Sequence, residues 1–173
     1  MKVTILSFLM VMTMSVLSFA QQDKSERASP PDSAVVTTDD GVTIAIHYSK
    51  PSLKGRQLGV EIAQFGKVWR TGANEATTFE VDKDVLVQGK PLPAGKYGLY
   101  SIPDENNMTI IFNNVWDQWG TRYDESKDAL RVMATPSGNG ELLEQFTIRI
   151  DKTGTVALLW GDAIVPFTVK AAQ

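Results

Sequence analysis

From Val42 to Ser49 the chain alternates: Val42, Ile44, Ile46 and Tyr48 are apolar, while Thr43, Ala45, His47 and Ser49 are small or polar. A period of two puts the first set on a buried face and the second on the other, which predicts a half-buried strand. Asp39-Asp40-Gly41 precedes it, and glycine takes positive φ at little cost, so Val35-Val36 is expected to pair back as a hairpin. The same grammar predicts strands at Thr77–Val81, Val85–Val87, Tyr97–Ile102, Met108–Phe112, Leu130–Thr135, Leu143–Ile150, Thr155–Trp160 and Ile164–Val169. Turns are expected at Asp82-Lys83-Asp84, Gly89, Asp104–Asn107, Ser137–Gly140, Asp151–Gly154 and Gly161-Asp162. About nine or ten short strands at this spacing imply an all-β, single-domain β-sandwich of jelly-roll or immunoglobulin-like type, or a closed barrel. Ile44, Ile46, Leu99, Ile110, Phe146, Ile148, Leu158 and Phe167 fall on its inner faces.

Two stretches do not alternate, Ser49–Ala76 and Asn113–Ala129. They are expected as long loops, with one helical turn in Gly59–Gly66 and another in Asp124–Ala129. Loops of this length in a small domain commonly carry function, so candidate chemistry is sought there.

The N-terminus follows a different pattern. Lys2 precedes the apolar stretch Val3–Leu17, and Ser18-Phe19-Ala20 puts small residues where a signal peptidase reads. The stretch is shorter than the roughly 20 residues of a spanning helix. Residues 1–20 are therefore expected as a signal peptide cleaved after Ala20, which predicts a periplasmic or secreted protein. Residues 21–32 are polar and Pro-containing and are expected as a flexible tether, leaving 33–170 as the folded domain. The sequence has no cysteine, so no lipobox anchor and no disulfide is available, and stability must come from packing. Beyond residue 20, sixteen basic face twenty acidic residues, interspersed and without a basic run. Nucleic acid is a poor partner for such a surface. No later stretch is apolar enough for a membrane span, no motif calls for a cofactor, and the pattern specifies no oligomeric state.

The densest polar run is Val68-Trp69-Arg70-Thr71-Gly72-Ala73-Asn74-Glu75. Arg70 offers a planar donor fork for a carboxylate or phosphate, and Gly72 and Asn74 both tolerate positive φ. In one reading Arg70 and Glu75 pair internally and pin the loop; in the other they face a ligand. Tyr48–Arg56 adds Lys50, Lys54 and Arg56 beside this run, either as a solvated basic loop or as extra positive potential. His47 is the sole histidine and is expected to face away from Ile44 and Ile46. Without cysteine or a second histidine it makes no zinc site, but with Glu75 it is a conceivable acid/base pair. Trp116–Asp124 gathers Trp116, Trp119 and Tyr123 with Asp, Gln and Arg, a composition that can stack sugar rings or tuck a loop onto the core. Asp104-Glu105-Asn106-Asn107 lacks the calcium-loop pattern and is expected as a polar turn. Asp151-Lys152-Thr153-Gly154-Thr155 matches the phosphorylated string of transport ATPases, but between two strands of a small domain it is expected as a hairpin turn.

These motifs resemble one family, the bacterial exported proteins grouped as domain of unknown function family 2911. The resemblance rests on Tyr48-Ser49-Lys50-Pro51 with Gly55-Arg56, on Gly66–Glu75, and on Leu92–Tyr97 with Leu99 and Ile102-Pro103. Trp119-Gly120, Tyr123-Asp124 and Asp128–Val132 extend it, so that it covers roughly Ser33 to Ile150; Lys50 stands where the family often has Arg. It implies a bacterial envelope location and no catalytic assignment. The expected function is a binding or interaction module for a small acidic molecule or glycan. Its candidate residues are Arg56, Trp69, Arg70, Asn74, Glu75, Trp119 and Tyr123. The rivals are a hydrolase or isomerase using Glu75 with His47, and a structural envelope protein with no ligand site.

Overall fold

The computed structural model describes residues 23–172 apart from Gly138. The expected signal peptide, residues 21 and 22, and Gly138 of the expected Ser137–Gly140 turn lie outside the described residues. Ten strands form two antiparallel sheets. β1 (Pro31–Thr37) and β2 (Thr43–Ser49) make the expected hairpin, with Val36 opposite Ile44 and Gly41 at φ +80° in the turn. β3 (Thr77–Val81), β6 (Gly95–Pro103), β7 (Met108–Asn113) and β8 (Asp128–Ala134) continue that sheet in the order β1-β2-β3-β6-β7-β8. The second sheet is β5-β4-β10-β9, built from β4 (Val85–Val87), β5 (Lys90–Leu92), β9 (Asn139–Ile150) and β10 (Thr155–Ala171).

The fold is thus a β-sandwich whose larger sheet is a meander with one two-stranded excursion, β4–β5. That strand order is neither the jelly-roll nor the immunoglobulin order. All eight residues placed on inner faces from the sequence are buried between the sheets. Tyr100 and Ile111, one residue out of phase with Leu99 and Ile110, lie instead on the outer face of the larger sheet with Ala76, Ile102 and Tyr123. The 114–127 loop covers part of that face and ends in a single 3-10 turn, Glu125–Lys127, near where a helical turn is expected. Around Gly59–Gly66 the structure has hydrogen-bonded turns but no helix.

Three expectations are corrected. Gly161-Asp162 is not a turn, because β10 runs through it. The ladder with β9 shifts register on either side of Gly161, which sits at φ +60°, so the glycine makes a bulge inside one long strand. β5 has no counterpart in the expected strands; Pro91 is tolerated because β5 is an edge strand, where a ladder donor can be missing. Residues expected in the tether also join the fold: Lys24–Glu26 form a 3-10 turn, Arg27 bonds Glu75, and Pro31 and Asp32 begin β1. Asp151–Gly154 is the expected hairpin turn, with Asp151 Oδ1 accepting from the Thr155 N–H at 2.9 Å and the Thr153 hydroxyl at 2.7 Å. Among the described residues no helix is long and apolar enough to cross a membrane.

Candidate functional site

The run from Gly66 to Glu75 takes up the lane beside β6 that β3 leaves empty. The Gly66 N–H donates to Pro103 O at 2.9 Å, and Trp69 and Ser101 exchange backbone bonds of 2.7 and 2.9 Å. Strand-like backbone sends neighbouring side chains to opposite faces, so Trp69 and Arg70 part company. Trp69 turns inward, stacks on Trp160 at 5.4 Å and meets the edge of Phe146 at 5.0 Å. Arg70 donates from Nη1 to Asn74 O at 3.3 Å and lays its stem over Gly120. A Cβ on Gly120 would come within 2.5 Å of Arg70 Cδ and 3.0 Å of Asn74 O, so that loop approaches closely only because it carries no side chain there. Thr71 is buried and donates to Ser101 Oγ at 3.0 Å. Asn74, at φ +60°, donates from Nδ2 to Ser29 O at 3.0 Å, while its own carbonyl accepts from the Gly120 N–H.

Among the described residues the internal Arg70–Glu75 pair, one of the two readings of this run, is not formed. Glu75 forms a backbone bridge with Trp119 and sends its carboxylate towards the N-terminal segment instead. Arg27 Nη1 donates to both of its oxygens at 3.0 and 2.9 Å, and Lys24 Nζ lies 3.2 Å away. Burial pushes the Glu75 carboxyl up, but the backbone N–H, Arg27 and Lys24 outweigh it and hold the group at about 2. Glu75 and His47 do line one cavity, of about 250 Å³, on the outer face of the larger sheet. A carboxylate held so low is a weak base and carries no proton at neutral pH, which makes it ill-suited to general acid–base work.

The other expected residues divide in the same way. Arg56 folds back to the Leu53 and Ser52 carbonyls at 2.9 and 2.7 Å and closes its own exposed turn. Tyr123 packs at 4.9 Å on Tyr100, donates to Asp128 at 2.7 Å and accepts from Arg131 at 2.8 Å, which ties the 114–127 loop to β8. Trp119 is 46% exposed, and Trp116, 38% exposed, lies under Lys96 Nζ at 4.6 Å.

Trp69 alone of the seven candidates lines a second cavity, of about 350 Å³, at the end of the sandwich where β6 turns into β7. Its floor is the Trp69–Trp160–Phe146 cluster with Leu158. Both indole N–H groups are engaged elsewhere, Trp69 with Gly72 O at 3.2 Å and Trp160 with Glu144 O at 3.1 Å, so the floor offers apolar faces only. Leu58 and an exposed Phe65 form one wall, and Asp104, Glu105, Asn107 and Asp162 stand at the mouth. Sequence reasoning missed this group because its members come from four separate segments. The one local signal is a tryptophan directly before the Gly161 bulge, since bulges re-aim side chains near sites.

The family model described as "Protein of unknown function (DUF2911)" matches residues 29–169. No curated protein and no solved structure matches the chain. The match spans most of the chain, including the Gly66–Glu75 run, the walls of the sandwich-end cavity and nearly all of the two sheets, while Lys24 and Arg27 of the outer-face cavity precede it; the chain belongs to the DUF2911 family of proteins of unknown function.

Proposed function

We propose that the protein is an exported binding module of the bacterial envelope that takes a small neutral glycan into the cavity at the β6–β7 end of the sandwich. The observation that carries this reading is the pairing of an aromatic floor with a hydrogen-bonding mouth. Trp69, Trp160, Phe146 and Phe65 supply flat apolar surface for a sugar's C–H face, and Asp104, Glu105, Asn107 and Asp162 supply acceptors for its hydroxyls. The charge favours a neutral ligand over an acidic one, because an anion would meet three carboxylates at the mouth. The leader pattern of residues 1–20 and the family resemblance support export.

A thermal-shift titration with maltose and cellobiose, with glucuronate as the acidic control, tests the reading. The neutral disaccharides are expected to raise Tm in proportion to the logarithm of concentration once above Kd. Ala163→Phe, which fills the cavity from its wall, is expected to abolish the shift. Equal shifts in wild type and variant, or none with either neutral sugar, would defeat this reading and favour a purely structural envelope role.

A further inference from the structure

The cavity on the outer face of the larger sheet has a chemistry opposite to that of the sandwich-end cavity. In register, His47, Thr78 and Gly98 form one row across β2, β3 and β6, and Ala45, Glu80 and Lys96 form the next. Gly98 adds no side chain to its row, which lets the Val115 carbonyl pack 2.7 Å from its Cβ position, while Thr78 lines the cavity beside it. Around it stand Lys24 and Arg27 from the N-terminal segment, Lys96 from β6 and His47 from β2. Within a chain of net charge −3, this is a local gathering of cations.

The donors there are incompletely used. Glu75 is occupied by Arg27 Nη1 and Lys24, yet among the described residues Nε and Nη2 of Arg27 make no side-chain bond. Lys96 touches one oxygen of Glu80 at 3.3 Å and the face of Trp116, which leaves ammonium donors free. The Thr78 hydroxyl is buried and, among the described residues, is the one buried side-chain polar atom without a hydrogen-bond partner. A buried hydroxyl without a partner costs free energy, and such a group in a native fold calls for a reason. Donors outnumber acceptors, so the complementary ligand is rich in acceptor oxygens.

We propose that this cavity is an oxyanion site, in which Thr78, Lys96 and Arg27 hold the carboxylate or phosphate group of a small molecule, with His47 on the wall. The site is independent of the proposed glycan cavity, which opens at the end of the sandwich. Glu75 serves it as a positioning residue, holding Arg27 over the sheet while leaving two guanidinium nitrogens for the ligand.

His47 is the only histidine in the sequence, so its imidazole Cε1–H signal is a single-site reporter. The protein is titrated at fixed pH and fixed ionic strength with inorganic phosphate in one arm and acetate in the other, sodium chloride making up the balance. The expected result is a saturable shift of the His47 signal with at least one of the two anions and none with chloride alone. Saturation by phosphate only, or by acetate only, assigns the ligand group. Thr78→Val and Lys96→Met are each expected to raise Kd at least tenfold. Thr78→Val removes the unpartnered hydroxyl and is expected to leave Tm unchanged or higher, which separates lost binding from lost fold. A shift that grows without saturating in both arms, or an unchanged Kd in both variants, would overturn the proposal.

Discussion

Replacing Tyr48 by Phe removes one oxygen atom that joins the two sheets. Tyr48 extends from β2 across the core; its hydroxyl accepts from the Ile148 N–H of β9 at 3.0 Å and donates to Asp32 at 3.1 Å. β9 is an edge strand, and its ladder with β10 lies on its other side, so the tyrosine supplies what a neighbouring strand would have given. Phenylalanine keeps the ring and its edge contact with Phe146 at 5.7 Å. What is lost is the acceptor for a buried N–H, and leaving such a donor unsatisfied costs about 1–3 kcal/mol. Asp32 keeps its pair with Lys50 at 3.1 Å and adds little to the loss. Urea unfolding of Tyr48→Phe should therefore show a lower midpoint at unchanged m-value, with Tm falling by about 2–4 °C for each kcal/mol. A stability change under about 0.5 kcal/mol would refute the claim that this hydroxyl is the partner of the Ile148 N–H.

Burial also pushes all four phenols up, Tyr48 and Tyr123 to about 12 from an ordinary 10.0, and Tyr97 and Tyr100 in the same direction. Their contribution to stability is complete below pH 10 and is lost as pH rises from 10 towards 12, because the unfolded phenols ionise first. Absorbance at the phenolate band should rise late and together with loss of the β circular dichroism signal; phenols half-ionised at pH 10 in folded protein would contradict this. Glu75, held at about 2 against 4.5, contributes above its ordinary value and loses that contribution as pH falls towards 2. Glu75→Gln should speed tryptic cleavage after Lys24 and Arg27 several-fold while moving Tm little, since the side chain is 43% exposed and such pairs are weak. Unchanged cleavage would mean that the N-terminal segment is held by other contacts. Ile148→Ala, which empties a buried position between the sheets, should cost about 2–5 kcal/mol in urea unfolding; a near-neutral result would place Ile148 outside the packed core.

What the sequence made legible follows the range of the forces involved. Alternation in β2 and β9 assigns Ile44, Ile46, Phe146 and Ile148 inward, because a face is set locally by the period of two. The β4–β5 hairpin is half legible: Gly89 marks its turn, with Gln88 and Gly89 both at positive φ, but Pro91 masks the short returning strand. Gly161 is ambiguous by nature, since the same positive φ serves a turn or a bulge and only the partner strand decides. Arg70 and Glu75 are close in sequence, but strand-like geometry at residue 69 and the left-handed Asn74 aim them apart. Glu75 finds Arg27, 48 residues upstream in a segment whose composition suggests a tether. Both cavities are assembled across comparable separations, so their residue types are visible in the sequence and their company is not.

The most direct test of the glycan reading uses the protein's own tryptophans. Of the four, Trp116 and Trp119 lie exposed on the outer-face loop, while Trp69 and Trp160 form the cavity floor. In the Trp116→Phe, Trp119→Phe double variant the indole emission comes from the floor alone. Titration of that variant with maltose or cellobiose is predicted to give a saturable emission change with the same Kd as wild type. A change seen in wild type but absent from the double variant would place the ligand on the outer face and contradict the account.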